Sequence, residues 1–401
     1  MPAPKSLGLL KIETCGIETA RDCLRICLSK WTTHIAKLRP LAICCGVIAF
    51  SGGAQAEVAP QAANTLGFVI TASDSGIYKT KFWDECSDGA TIGAAELWWS
   101  NLSKAAKKKL GGMQDLVTLH VDIPQRGPNH EDICWQPTLF KDPPQRLAGG
   151  PISYGMNLDD TVDGRATTKT CKHEKFASNP DGEKNIDNQL YRVIGCSAGF
   201  RELDFIDGYA SQERKTSGRG LILIEVTGVD DPKNDDDVRV TFYRAVGQMP
   251  QDSRRRVLPF GSYVIDTDAN GVPRYGASAR GKIVNGVLIT EPVDATLPSY
   301  GQTSYFVMGI RDMRLKLAIA ADGKTAKGTL AGYYDLDRWI HYMTNIEYLM
   351  VLGTLNCPSV YEAVHRLADG YPDPKTGQCT AISSAFNIEA AAAFVVHPPV
   401  E

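Results

Sequence analysis

The sequence lacks the short patterns that would name a chemistry. It holds no H-E-x-x-H, no G-x-x-x-x-G-K-[ST] loop and no G-x-G-x-x-G, which removes the signatures of zinc proteases, P-loop nucleotide sites and dinucleotide sites. No C-x-x-C occurs, so neither a thiolate zinc ribbon nor covalently attached haem is expected. Histidine is scarce, seven in 401 residues, and no two stand four apart. An excess of one charge is missing too: 43 Lys+Arg face 46 Asp+Glu, a net of −3. Nucleic acid, whose non-specific binding rests on basic patches, is therefore not an expected partner. No apolar run approaches the 18 residues of a membrane-spanning helix. The rest is ordinary, with 43% hydrophobic and 22% charged residues, which excludes wholesale disorder and collagen-like or bare coiled-coil chains.

What is present begins with a pattern for export. Residues 1–40 carry seven bases and three acids, followed by the apolar run Leu41–Phe50 and then SGGAQA. Ala54-Gln55-Ala56 is the small-x-small element that a signal peptidase reads, so cleavage is expected before Glu57. Residues 57–401 would then carry −7, have no transmembrane anchor, and reside in the periplasm or outside the cell.

Five cysteines leave with that segment. Cys86, Cys134, Cys171, Cys196, Cys357 and Cys379 remain, an even set that reads as three disulfides in an oxidising compartment. Nearness along the chain suggests Cys86–Cys134, Cys171–Cys196 and Cys357–Cys379. Each bridge is expected to contribute about 2–4 kcal/mol by restricting the unfolded chain.

The mature chain divides by texture into three parts. Residues 57–215 are rich in Pro, Gly, Asp and Asn, with one good helix candidate at 94–110, and read as an irregular disulfide-rich region. Residues 216–335 alternate β-branched and polar residues and turn at Asn270-Gly271, Asn285-Gly286 and Asp322-Gly323. Short strands at that spacing predict a mainly β protein with some α elements, built on an antiparallel β-sandwich of jelly-roll type. Residues 336–401 read as a C-terminal helical segment around a local disulfide, with helices near 335–354 and 358–369.

Two patterns carry chemistry. In NPDGEKNIDN, residues 179–188, oxygen-bearing side chains recur at every second position. Asp181, Glu183, Asn185 and Asp187, with Asp159 and Asp163 upstream, are the candidate ligands of a Ca²⁺ ion, which takes six to eight oxygens. The same spacing also serves an Asx-turn leading into a helix capped by Asp187 or Asn188. Asp266, Asp268 and Asn270 open like a calcium loop but are explained by a turn. The second pattern is Trp98, Trp99 and Trp135, the candidate ligand surface, with Glu225 as a strand-borne carboxylate.

These features predict an exported, disulfide-stabilised binding or structural protein of the cell envelope, with calcium as its one candidate cofactor. A glycan or an envelope protein is the expected partner. The alternative is a secreted glycosidase-like hydrolase using paired carboxylates.

Overall fold

The computed structural model describes residues 64–110, 123–201, 205–300, 305–346 and 354–399. The expected export signal, residues 1–56, lies outside them.

Thirteen strands are present among the described residues. β1 is Thr65–Ser75; β2 (Phe176–Ser178) and β3 (Lys184–Ile186) form a small separate hairpin. Then come β4 (Leu221–Thr227), β5 (Asp235–Val246), β6 (Gly261–Ile265), β7 (Gly276–Val284) and β8 (Val287–Thr290). β9 (Val293–Tyr300), β10 (Tyr305–Ile319), β11 (Thr325–Asp335), β12 (Gly370–Pro372) and β13 (Cys379–Val396) complete the set. Pairing runs β1, β4, β5, β7, β8, β10, β11, β13, and β13 returns to β1. That closes an eight-stranded antiparallel barrel, to which β6, β9 and β12 are attached.

The expected sandwich is therefore overturned. A strand that buries alternate side chains has the same sequence pattern in a sandwich and in a barrel. What separates them here is the pairing of β1 with β13, whose partners Phe68 and Ala392 are more than 300 residues apart. The boundaries drawn at 215/216 and 335/336 also fall within this arrangement, since the barrel takes β1 from before the first and β13 from after the second. Residues 379–396, placed in a helical segment by their Ala-rich text, form the 18-residue strand β13. Alanine has little β propensity, but it lets neighbouring strands and covering loops come close.

Alternation sets what faces inward. Ile222, Ile224 and Val226 of β4, Val238, Val240 and Phe242 of β5, and Leu315 and Leu317 of β10 share one buried cluster, the barrel interior. Their intervening neighbours Leu221 and Leu223 face outward, against Tyr263 and Ile265 of β6. Asn285 and Gly286 have φ of 52° and 76°, the backbone that the expected two-residue hairpin between β7 and β8 demands. At Asn270-Gly271 only Gly271 takes positive φ, and β6 and β7 pair with β5 rather than with each other.

A helical layer covers one end. The predicted helix at 94–110 divides into α1 (Ala94–Asn101) and α2 (Lys104–Lys109), where Ser103 caps the second through the Ala106 amide. α3 (Gln189–Ile194) is capped by Asn188, whose side chain accepts from the Tyr191 amide. α4 (Ala198–Arg201) and α5 (Phe205–Ser217) follow; α6 (Leu336–Asn345) is capped by Asp335, and α7 is Cys357–Leu367. Trp339, Met343, Val360 and Val364 from α6 and α7 join Leu190 and Ile194 in this layer's core.

All six cysteines are paired, but as Cys86–Cys196, Cys134–Cys357 and Cys171–Cys379. The expected partners, including the local Cys357–Cys379 bridge, are corrected. Each bond spans more than 100 residues: Cys134–Cys357 and Cys171–Cys379 tie α7 and the C-terminal strand to the irregular region, and Cys86–Cys196 closes a long loop within it.

Candidate functional site

The six expected calcium ligands separate into two groups. Asp163, Asp181, Glu183 and Asn185 do not converge. The Asp163 carboxylate accepts from the Arg165 amide, Glu183 reaches Lys316 at 3.4 Å, and Asp181 and Glu183 give their amides to the Asn179 side-chain oxygen at 3.0 and 2.9 Å. That is the Asx-turn. Asp159 and Asp187 do meet, in a buried knot with His173, Lys175 and Asp369.

Lys175 occupies the centre of that knot. Its ammonium donates to Asp159 at 2.5 Å, Asp187 at 2.9 Å and the Asn157 side-chain oxygen at 2.9 Å. These contacts, outweighing burial, hold the Asp159 carboxyl below its ordinary range. His173 Nε2 lies 2.8 Å from Asp187 and Nδ1 2.9 Å from the Cys171 carbonyl oxygen. Protonated on both nitrogens, the ring donates to both of these oxygens. Burial disfavours that cation, but Asp187, Asp369 and the Cys171 carbonyl prevail and raise its pKa to about 9. Asp369 is pushed up to about 6, by burial first and by Asp187, against the pull of His173 and Ser383.

Chemically, the knot is a paired ionic tie. With both ring protons engaged the imidazolium has no lone pair to offer, whereas the neutral ring, with Asp159 and Asp187, presents three ligand atoms within 4.8 Å of one another, a set that could hold a metal ion. Lys175 already supplies cationic charge to Asp159 and Asp187, and the side chains of Asp159, His173, Lys175 and Asp187 are nearly sealed from solvent. The tie joins the irregular region to the barrel through Asp369, which accepts from the Ser383 amide of β13 at 2.6 Å.

The aromatic and carboxylate candidates also scatter. Trp98 and Trp99 pack half-buried on the helical layer, while Trp135 is 63% exposed on a loop. Glu225 faces out of the barrel and accepts from or shares a proton with His397 at 2.9 Å. Asp268 accepts from the Asn270 and Val272 amides, and Asp266 pairs with Arg244 and Arg274. One motif escaped the sequence reading: residues 195–199 spell G-x-S-x-G. The pattern needs a strand-to-helix elbow that exposes the serine. Here Ser197 is 0% exposed between α3 and α4, beside the disulfide-bonded Cys196.

A cavity lies between the helical layer and the barrel. Where α5 and α6 cover the barrel, a cavity of about 70 Å³ remains. Ile70, Ile222, Leu297, Leu330 and Ile388 form its barrel side; Ile206, Trp339 and Tyr342 close it from the helices. The polar residues among its lining are Ser73, Ser75, Asp207, Arg214 and Ser299, with Tyr209, Tyr300, Tyr334 and Tyr342.

No family model, curated protein or solved structure matches this chain.

The cavity was legible only in part. Ile206, Tyr209, Ala210 and Arg214 line it from α5 at spacings of three, one and four. That helical signal sits inside a stretch diluted by Gly208 and Ser211 and read as irregular.

Proposed function

We propose that this chain is an exported binding protein that holds a small apolar ligand in the helix-covered end of its barrel. One observation carries the reading: an apolar cavity continuous with the barrel interior, edged by a few polar groups. Eight strands enclose a lumen that side chains just fill or that accommodates one small ligand. Binding sites are commonly apolar concavities with a few orienting polar groups. The three disulfides and the sequence expected at 1–56 support export, where such bonds persist.

The test uses the neutral dye N-phenyl-1-naphthylamine, which fluoresces in apolar surroundings. The disulfide-bonded protein should bind it saturably, with a blue-shifted emission. Leu330→Trp, which fills the barrel side of the cavity, should weaken binding about tenfold or more, the effect expected of losing a few buried contacts. A wild-type protein that shows no saturable signal would overturn the reading.

A further inference from the structure

Large apolar side chains gather at one place on the surface. Of the twelve that stand exposed among the described residues, five are Val246, Leu258, Phe260, Val264 and Phe394, and the strand register makes them neighbours. Val264 of β6 pairs with Val246 of β5 on one side and Val396 of β13 on the other, and Phe394 pairs with Ser262. The Phe260 and Phe394 rings lie 6.0 Å apart, centre to centre, and Leu258 is two residues ahead of Phe260. These side chains are held outward. Alternation gives the other face of β6 to Tyr263 and Ile265, which are buried with Leu221 and Val395. Single exposed apolar residues are ordinary, whereas a contiguous group marks an interaction surface.

Basic charge borders this patch. Arg254, Arg255 and Arg256 are exposed in the turn that leads into Leu258 and Phe260. Hydrogen bonds fix the turn: the Asp252 carboxylate accepts from the Arg254 amide at 2.8 Å and the Arg256 amide at 2.9 Å. The Gln251 side chain ties it to α5, donating to the Lys215 carbonyl oxygen at 2.6 Å. Arg256 pairs with Asp252, while Arg254 and Arg255 have no ion pair among the described residues. We propose that this face docks on an anionic lipid surface, with Phe260 and Phe394 entering the headgroup layer and Arg254 and Arg255 meeting lipid phosphates. The proposal is independent of the cavity. The net −7 of residues 57–401 acts weakly here, because charges farther than about 8–10 Å are screened at physiological salt and those beside the patch are basic. A second copy of the chain fits less well, since a two-fold contact across the patch would bring two arginine runs together.

Sedimentation with lipid vesicles tests it, using phosphatidylcholine alone and phosphatidylcholine with an equal part of phosphatidylglycerol, in about 0.1 M salt. The disulfide-bonded protein should sediment with the anionic vesicles and far less with the neutral ones. It should be released at about 1 M salt, where the screening length falls to about 3 Å. Arg254→Gln/Arg255→Gln should weaken binding about tenfold or more, the loss expected for two cations at an anionic surface. Phe260→Ser/Phe394→Ser should weaken it by a similar factor without lowering the melting temperature, since both rings are exposed. Equal sedimentation with the two vesicles would refute the anionic-lipid assignment, and none with either would refute membrane docking. Binding to anionic vesicles that survives both double variants would place the contact on another surface and overturn the proposal. A dimer in place of vesicle binding, abolished by the phenylalanine substitutions, would give the patch to a second copy and overturn it as well.

Discussion

His173 and Asp187 share a hydrogen bond of 2.8 Å, Nε2 to Oδ1, with both side chains almost wholly buried. The imidazolium faces Asp159, Asp187 and Asp369, with Lys175 as the second cation. Its folded-state pKa of about 9 exceeds the ordinary 6.5. The stabilisation from protonating it is therefore complete below pH 6.5 and is lost as pH rises through 9. Asp369, raised from 3.8 to about 6, gives the same sign at lower pH: stability present below 3.8 is lost by about 6.

The melting temperature should accordingly fall between pH 6.5 and 9. At most about 3 kcal/mol is available, a drop on the order of 5 °C for a chain of this size. His173→Gln should be less stable at pH 6 and nearly flat above it. An unchanged slope in that variant would assign the pH dependence elsewhere.

Lys175→Met should be among the most damaging single changes in the irregular region. It removes the ammonium from between Asp159 and Asp187 and leaves His173 as the one cation facing these buried carboxylates, and breaking a buried pair from one side costs about 3–5 kcal/mol. The double variant Asp159→Asn/Lys175→Met should recover part of the loss in chemical denaturation. Calcium, the ion expected from the sequence, is tested in the same preparations. Millimolar Ca²⁺ should raise the melting temperature more in Lys175→Met than in the parent, because four oxygen-bearing groups now surround that position without the ammonium.

How far the sequence reveals this molecule depends on the range of each interaction. The Asn188 cap, the Asn285-Gly286 hairpin and the Asx-turn at Asn179 are set within a few residues, and they are readable there. The pairing of all six cysteines follows from their even number, but the choice of partner does not. Cys171 finds Cys379 because β13 returns beside β1, a closure that no local pattern encodes. Arg214 was missed for a related reason: a single arginine on a mixed-polarity helix reads as surface. Only the packing of α5 on the barrel turns it into a buried charge.

Two glycines separate conformational freedom from close approach. Gly328 lies where β11 meets β10, and a Cβ built there would stand 1.9 Å from the Lys316 carbonyl oxygen and 2.8 Å from the Leu317 Cα. Gly323, in the turn between those strands, has φ of 68° and open space around it. Gly323→Ala should therefore cost only the left-handed backbone penalty, about 1–2 kcal/mol. Gly328→Ala must push two barrel strands apart and should cost more, about 3 kcal/mol or above. Comparable denaturation midpoints for the two would contradict the strand contact.

Trp339 offers a direct reading of where a ligand sits. It is 2% exposed, belongs to α6 and lines the cavity opposite the barrel side chains. A bromine atom carried on an apolar chain quenches indole fluorescence only at close range, so a brominated aliphatic probe should quench part of the protein's emission saturably. Trp98 and Trp99 line no part of the cavity, and Trp135 lies on an exposed loop, so their emission should persist. Trp339→Phe should remove the quenchable component while leaving displacement of the neutral dye measurable. Quenching that survives Trp339→Phe would place the apolar chain at another surface, such as the groove beside Trp135 and Leu139. Loss of the quenchable component in Trp339→Phe would fix the ligand between α6 and the barrel.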